Sequence, residues 1–220
     1  MDVLDFIVGS KKIQAYMIFN CREMHDCIHK DRERMPIAHP FLSAISFSES
    51  WSVRSYLTVL RHLEYHKNVL SLYRRFFVLK RDKRCIDYMI MGGVIYHIVL
   101  YLVFFIFWRH KSLVTGIQVY PNTCGSGLAI THRSYVHIDN ITRIGRNCSI
   151  LPMVLFGKNK PGRIVVGDNV TFGCGVTVLA PCKIGSNVFI GAGAVVNKDI
   201  PDNCIVAGVP AKIIRKTDAL

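Results

Sequence analysis

VGDNVTFGCGVTVLAPCKIGSNVFIGAGAVV, residues 166–196, repeats itself every six residues. Its aliphatic or aromatic anchors are Val166, Phe172, Val178, Ile184, Ile190 and Val196. Glycine follows the anchor at Gly167, Gly173, Gly185 and Gly191, and a small or β-branched residue stands four positions on, as at Val170, Val176, Cys182 and Ala194. The rhythm extends backward through Cys124, Ile130, Ile138, Ile144, Ile150 and Phe156, giving twelve anchors and two insertions. A period of six is too short for any helical repeat and belongs to parallel β-helices. Each hexad is then one short strand and one turn, with the anchor pointing into a prism. The glycine after the anchor is expected to supply a positive φ at the corner. Three hexads close one triangular coil, so twelve predict about four coils. A solenoid needs caps at its ends. The helical N-terminal half and the tail CIVAGVPAKIIRK, residues 204–216, are the candidates.

The first insertion lengthens the step from Ile130 to Ile138 to eight residues and contains His132 and His137. The second, GKNKPGR at residues 157–163, is basic.

The other half of the chain has a different grammar. Residues 1–110 hold one glycine before Gly92 and place apolar residues at helical spacing, as in Val53, Tyr56, Leu57, Leu60 and Leu63. Ser48 or Ser50 is an N-cap for a helix running toward Tyr73. The division expected is a helical region, 1–116, followed by a β-helix domain with its tail, 117–220, an α+β chain. Cys21, His25 and His29 share one helix face, and His62 and His66 form an i, i+4 pair. Neither pair has the glutamate of an HExxH zinc site, so no metal is assigned. Tyr88–Trp108 is 21 residues without a formal charge, long enough to cross a bilayer. His97 and three tyrosines interrupt it, and Lys/Arg clusters flank both ends. It reads as a helix buried between subunits, lying in a membrane interface, or spanning.

The formal net charge of +13 divides as +7 over residues 1–116 and +6 over residues 117–220. No basic tail exists, and no Lys/Arg run carries interleaved aromatics at a nucleic-acid motif spacing, so nucleic acid is excluded as a partner. Small anions and acidic lipid surfaces suit this charge. The eight cysteines form no CxxC pair, and the first residues lack the pattern of a secretory signal. The expectation is a cytoplasmic protein, either free or peripheral to the inner membrane face, with reduced thiols, several of them small core residues.

Four stretches carry a resemblance to a known family: GSGLAITH with its insertion, IGRNCSI, GKNKPGR followed by IVVGDNVTFG, and IGAGAVVNKDIPDNCIVAGVPAKII. Together they resemble the hexapeptide-repeat acyltransferases, and within them the serine acetyltransferases and the related O-acetyltransferases of surface-polysaccharide gene sets. The resemblance implies a left-handed β-helix, a homotrimer or dimer of trimers with sites between neighbouring prisms, and acetyl-CoA as co-substrate. It implies His132 as the general base. Imidazole chemistry agrees, because an ordinary pKa near 6.5 suits removal of a hydroxyl proton at neutral pH. His137, between two inward-facing residues, reads as structural or interfacial.

By position, Cys174 and Ala192 offer backbone to the pantetheine arm, while Lys198, Lys212, Arg215 and Lys216 are cations for the CoA phosphates. Thr131, Lys160 and Arg163 border the acceptor. The cysteine-biosynthesis enzymes of the family carry an aspartate where Thr131 stands and a second histidine where Pro161 falls. The implied activity is acetyl transfer to L-serine. Alternatives are acetylation of a sugar hydroxyl on a surface-polysaccharide precursor, and a catalytically inactive trimeric scaffold.

Overall fold

The computed structural model describes residues 17–46, 48–79 and 88–217. Among the described residues the helices are α1 (Cys21–Glu33), α2 (Pro40–Ile45), α3 (Glu49–Leu79) and α4 (Tyr88–Thr115). Fourteen short strands follow, all parallel to their neighbours except the last. They wind into a left-handed parallel β-helix with three faces.

The first face stacks β1 (Ile117–Val119), β3 (Val136–Ile138), β6 (Leu155–Lys158), β9 (Thr177–Ala180) and β12 (Val195–Val196). The second stacks β4 (Thr142–Ile144), β7 (Ile164–Val166) and β10 (Cys182–Ile184), extended by single bridges at Cys124 and Ile200. The third stacks β2 (Ala129–Ile130), β5 (Ser149–Ile150), β8 (Thr171–Phe172), β11 (Val188–Ile190) and β13 (Cys204–Ala207), and β14 (Lys212–Lys216) closes it antiparallel.

All twelve anchors point inward and are at most 1% exposed. Burying each such side chain stabilises by about 1.5–3 kcal/mol. Phe156 and Phe172 meet edge to face inside the prism, 5.0 Å between centroids, an arrangement aromatic pairs favour.

Two expectations need correction. The prism has about five coils, one more than the hexad count. Val119 stacks on Ile138 before the first regular anchor, while Ile200 and Val206 continue the stack on Ile184 and Ile190 after the last. The glycines after the anchors also do something other than supply positive φ. That conformation is carried at Asn147, Asn169, Asn187 and Asn203 on the corner between second and third faces. Gly145 on the same corner is glycine because a Cβ there would collide with the Gly167 carbonyl of the next coil. Asparagine tolerates the left-handed region because its amide bonds locally. Here the amides also form a ladder, Asn169 donating to Asn187 at 3.0 Å and Asn187 to Asn203 at 2.9 Å.

The first coil would leave an open sheet edge, a row of unpaired backbone groups. Buried side chains of α1 and α3 satisfy it. The Val119 N–H donates to the Tyr56 hydroxyl (2.9 Å) and the Asn122 N–H to Glu64 Oε1 (2.8 Å). Arg61 donates to the carbonyls of Cys124 (2.9 Å) and Gly125 (2.7 Å). Asp31 Oδ1 accepts from the N–H groups of Gly127 and Leu128 at 2.8 and 2.9 Å. Arg61 in turn bonds Asp31 and Glu64, at 2.8 and 2.9 Å, and all three side chains are at most 3% exposed. Burial alone would push the Arg61 pKa down; the two carboxylates hold it well above its ordinary value. At the far end the β13–β14 hairpin covers the last coil, the place expected for the tail.

Candidate active site

The step from β2 to β3 is the irregular turn Thr131–Tyr135, which projects from the corner between the third and first faces. Its base is fixed by the Asp31 and Arg61 bonds to residues 124–128, so the buried cluster sets the position of the turn. Its tip is held by Glu49, the first residue of α3. Ser48 caps that helix, accepting from the Trp51 N–H at 3.4 Å.

One Glu49 carboxylate oxygen accepts from the Arg133 N–H at 2.5 Å. The other lies 3.5 Å from His132 Nδ1. The Arg133 N–H, outweighing burial, and His132 together hold the Glu49 pKa below its ordinary value. His132 is thus a histidine with one ring nitrogen facing a carboxylate and a side chain 62% exposed. Such a pairing fixes the ring so that Nε2 is the nitrogen available to a ligand. Thr131 is exposed beside it.

His137 is placed differently. It sits on the outer surface of β3, between buried Val136 and Ile138, with Nδ1 3.2 Å from Gln118 Oε1 on β1. Its ring lies nearly parallel to that of Tyr135, 6.5 Å between centroids. It packs on the sheet face and stands apart from the projecting turn.

Above His132 the same corner presents, coil by coil, Pro152, Cys174, Ala192 and Gly208. At about 4.8 Å per level, Cys174 stands roughly 10 Å and Ala192 roughly 15 Å above the His132 turn. Both are exposed and flanked by glycine, so at these two levels no side chain larger than a thiol stands on the track. The Cys174 carbonyl already accepts from the Gly193 N–H at 2.8 Å. Lys212, opposite Ala207 in the hairpin, lies at the top of the track, with Arg215 further along the same strand; both are exposed.

The other candidates fall elsewhere. Lys160 and Arg163 lie on the corner between first and second faces, where the Lys160 N–H donates to the Ala180 carbonyl and the Arg163 carbonyl accepts from Cys182. Lys198 follows β12 onto that second corner as well. Thus one chain brings Thr131, His132, Cys174, Ala192 and Lys212 onto a common edge. Lys160, Arg163 and Lys198 are on another, and Lys198 does not join Lys212 and Arg215 as one phosphate-binding group.

Among the described residues, no three His, Cys, Asp or Glu side chains converge as a metal-ligand set. His29 pairs instead with Glu33 at 3.3 Å. His62 stacks on Phe104 of α4 (4.6 Å), and His66 Nδ1 meets His97 Nδ1 at 2.8 Å. Glu49, Asp31 and Arg61 were not visible as site residues in the sequence. Glu49 precedes the turn it holds by 84 residues, and an acid in the first turn of a helix reads as a dipole partner.

Residues 163–198 match the family Bacterial transferase hexapeptide (six repeats). The repeat region is thus similar to the hexapeptide-repeat transferases. Over 115 residues, 49% of its length, the chain is 35% identical to a serine acetyltransferase of Synechococcus elongatus, covering 46% of that protein. The chain spans about half the length of the curated relatives it matches. Its fold is similar to that of a Neisseria gonorrhoeae serine acetyltransferase solved in complex with serine, with a TM-score of 0.59, 22% identity, and 96% and 80% of the two chains covered. It is also similar to a serine acetyltransferase solved in complex with CoA, with a TM-score of 0.58, 19% identity and coverages of 88% and 71%. The fold likeness therefore includes the helices as well as the hexapeptide repeats.

Proposed function

We propose that the protein transfers an acetyl group from acetyl-CoA to an acceptor hydroxyl, with His132 as general base and L-serine as the first acceptor to test. The observation that carries the proposal is the Glu49–His132 pair on an exposed turn at the foot of the glycine-flanked track. The curated relatives named serine acetyltransferase and the CoA-bound and serine-bound solved relatives support the choice of both substrates.

Bound acetyl-CoA supplies the thioester carbonyl and a thiolate leaving group. His132 Nε2 takes the acceptor's hydroxyl proton as the oxygen attacks, and returns that proton to the departing sulfur. Glu49 keeps Nδ1–H toward itself and stabilises the transient imidazolium. The products are an O-acetyl ester and free CoA thiol, so no acyl-enzyme is required. The exposed backbone at Cys174 and Ala192 fits an extended pantetheine arm, and Lys212 and Arg215 fit phosphate at the upper end. A homotrimer brings the Lys160–Arg163 corner of one prism beside the His132 corner of the next, where its cations border the acceptor.

A second acceptor class is favoured by Thr131. It gives the acceptor no carboxylate to bind a free amino group, as suits a sugar hydroxyl. Thiol release with L-serine against a panel of sugar acceptors, at saturating acetyl-CoA, separates the two. Serine-dependent release supports the leading reading; release with sugars alone replaces it; release with neither, from a properly folded trimer, leaves the scaffold.

A further inference from the structure

Helix α4 is apolar on two sides, and only one has a partner among the described residues. Along one side it packs antiparallel to α3. Gly93 lies against the Tyr73 hydroxyl, His97 meets His66, Phe104 stacks on His62, and Trp108 Nε1 donates to the Tyr56 hydroxyl at 3.0 Å. The opposite side carries Ile95, Val99, Leu102, Phe105, Ile106 and Leu113, between 39% and 78% exposed. Met91–Thr115 has a mean hydropathy of 2.0 over its most apolar window, and only 6% of that window is buried. Twenty-five residues make a stripe about 37 Å long. Exposed apolar surface on this scale marks an interaction site.

The charge around the stripe identifies the partner. Residues 1–64 hold eight Lys/Arg and eight Asp/Glu, a net charge of zero. Residues 65–116 hold nine Lys/Arg and two Asp/Glu, net +7, so the whole excess of the helical half lies in this stretch of sequence. Arg74 and Arg75 are exposed near the C-terminal part of α3, and Lys80, Arg81, Lys83 and Arg84 lie in the sequence that joins the helices. Arg109 is exposed next to the C-terminal end of the stripe. Helix α4 itself has no acidic residue.

We infer that α4 docks this protein on an anionic lipid surface, its outer face sunk in the bilayer interface with the flanking cations at the lipid phosphates. Apolar burial and attraction to acidic headgroups add in this mode of binding. A second copy in the same place would set one ring of cations against another without counter-charge. A span is excluded by α3. It lies along α4 from Tyr56 to Tyr73 and is tied by buried Arg61 and Glu64 to the first coil of the prism, so α4 cannot enter the bilayer alone. The inference is independent of the proposed transferase activity, because it concerns binding only.

The test is co-sedimentation of the full chain with phosphatidylcholine vesicles, with and without phosphatidylglycerol, beside lipid-free light scattering. Binding to the phosphatidylglycerol vesicles is expected, weakened by salt and at least tenfold stronger than to phosphatidylcholine alone. Val99→Glu with Ile106→Glu, both on the exposed face, should abolish it while the lipid-free oligomer keeps its mass. Arg74→Glu with Arg75→Glu should reduce the preference for anionic lipid. Three results overturn the inference: no sedimentation with either vesicle; a Val99→Glu/Ile106→Glu variant that changes oligomer mass and still binds vesicles; or bound protein that resists alkaline carbonate extraction, the mark of a span.

Discussion

His132 and His137 share one eight-residue step, yet their surroundings assign them different work. His137 lies on a sheet face between buried valine and isoleucine, packed by Tyr135 and bonded by Gln118. His132 stands on a projecting turn with a carboxylate at Nδ1. Glu49→Gln keeps the hydrogen-bonding shape and removes the charge. It is expected to lower kcat roughly ten- to hundredfold with little change in KM, since its effect grows with the imidazolium in the transition state. An equal rise in KM with kcat unchanged would assign Glu49 to ground-state binding instead. The thiols divide in the same way. Burial pushes Cys124 and Cys182 up to about 12 and Cys148 up to about 11, so these stay protonated and inert. Cys174 is exposed on the proposed pantetheine track. Peptide mass mapping after brief iodoacetamide treatment should find Cys174 alkylated and those three intact, with CoA protecting Cys174. Equal labelling with and without CoA would remove Cys174 from the cofactor path.

At the scale of elements, α3 joins the cap of the prism to the site. Arg61→Met leaves Asp31 and Glu64 buried without their cation. Breaking such a cluster costs about 3–5 kcal/mol, read as a lower urea midpoint. The base of the His132 turn loses its anchors in the same variant, so activity should fall before unfolding begins. The α3–α4 contact responds to acid. Desolvation, with His97 and His62 adding, pushes His66 down from 6.5 to about 4. Its unfolded form therefore binds a proton that the folded form refuses. That contribution to stability is complete above about pH 6.5 and is lost as pH falls toward 4. Thermal melts across this range should show the loss in the wild type and a flatter profile in His66→Gln. The same elements explain what the sequence made legible. Anchors such as Phe172 and Ile190 announce themselves because the prism interior admits one large apolar residue every six positions. The corner chemistry was harder to read: the glycine after the anchor is expected to take positive φ, but Asn147 has it and Gly145 does not. Capping by Asp31 and Arg61 was not legible at all. Their partners lie 63–97 residues away, and nothing local distinguishes them from surface charges.

Over the whole molecule, the two candidate corners of one prism lie at opposite edges of the first face, so a single chain does not bring His132 to Lys160 and Arg163. A trimer answers that geometry, and light scattering should return the mass of three chains or a multiple. Co-expressing His132→Ala with Lys160→Ala/Arg163→Ala should restore turnover above that of either variant alone, through sites that draw one wild-type corner from each chain. No restoration in verified mixed trimers would confine the site to one prism. If His132 is the base, acetyl-CoA-dependent thiol release by His132→Ala, with the serine or sugar acceptor that the wild type uses, should fall about 10²–10⁴-fold at unchanged oligomer mass; turnover equal to the wild type would remove His132 from that role.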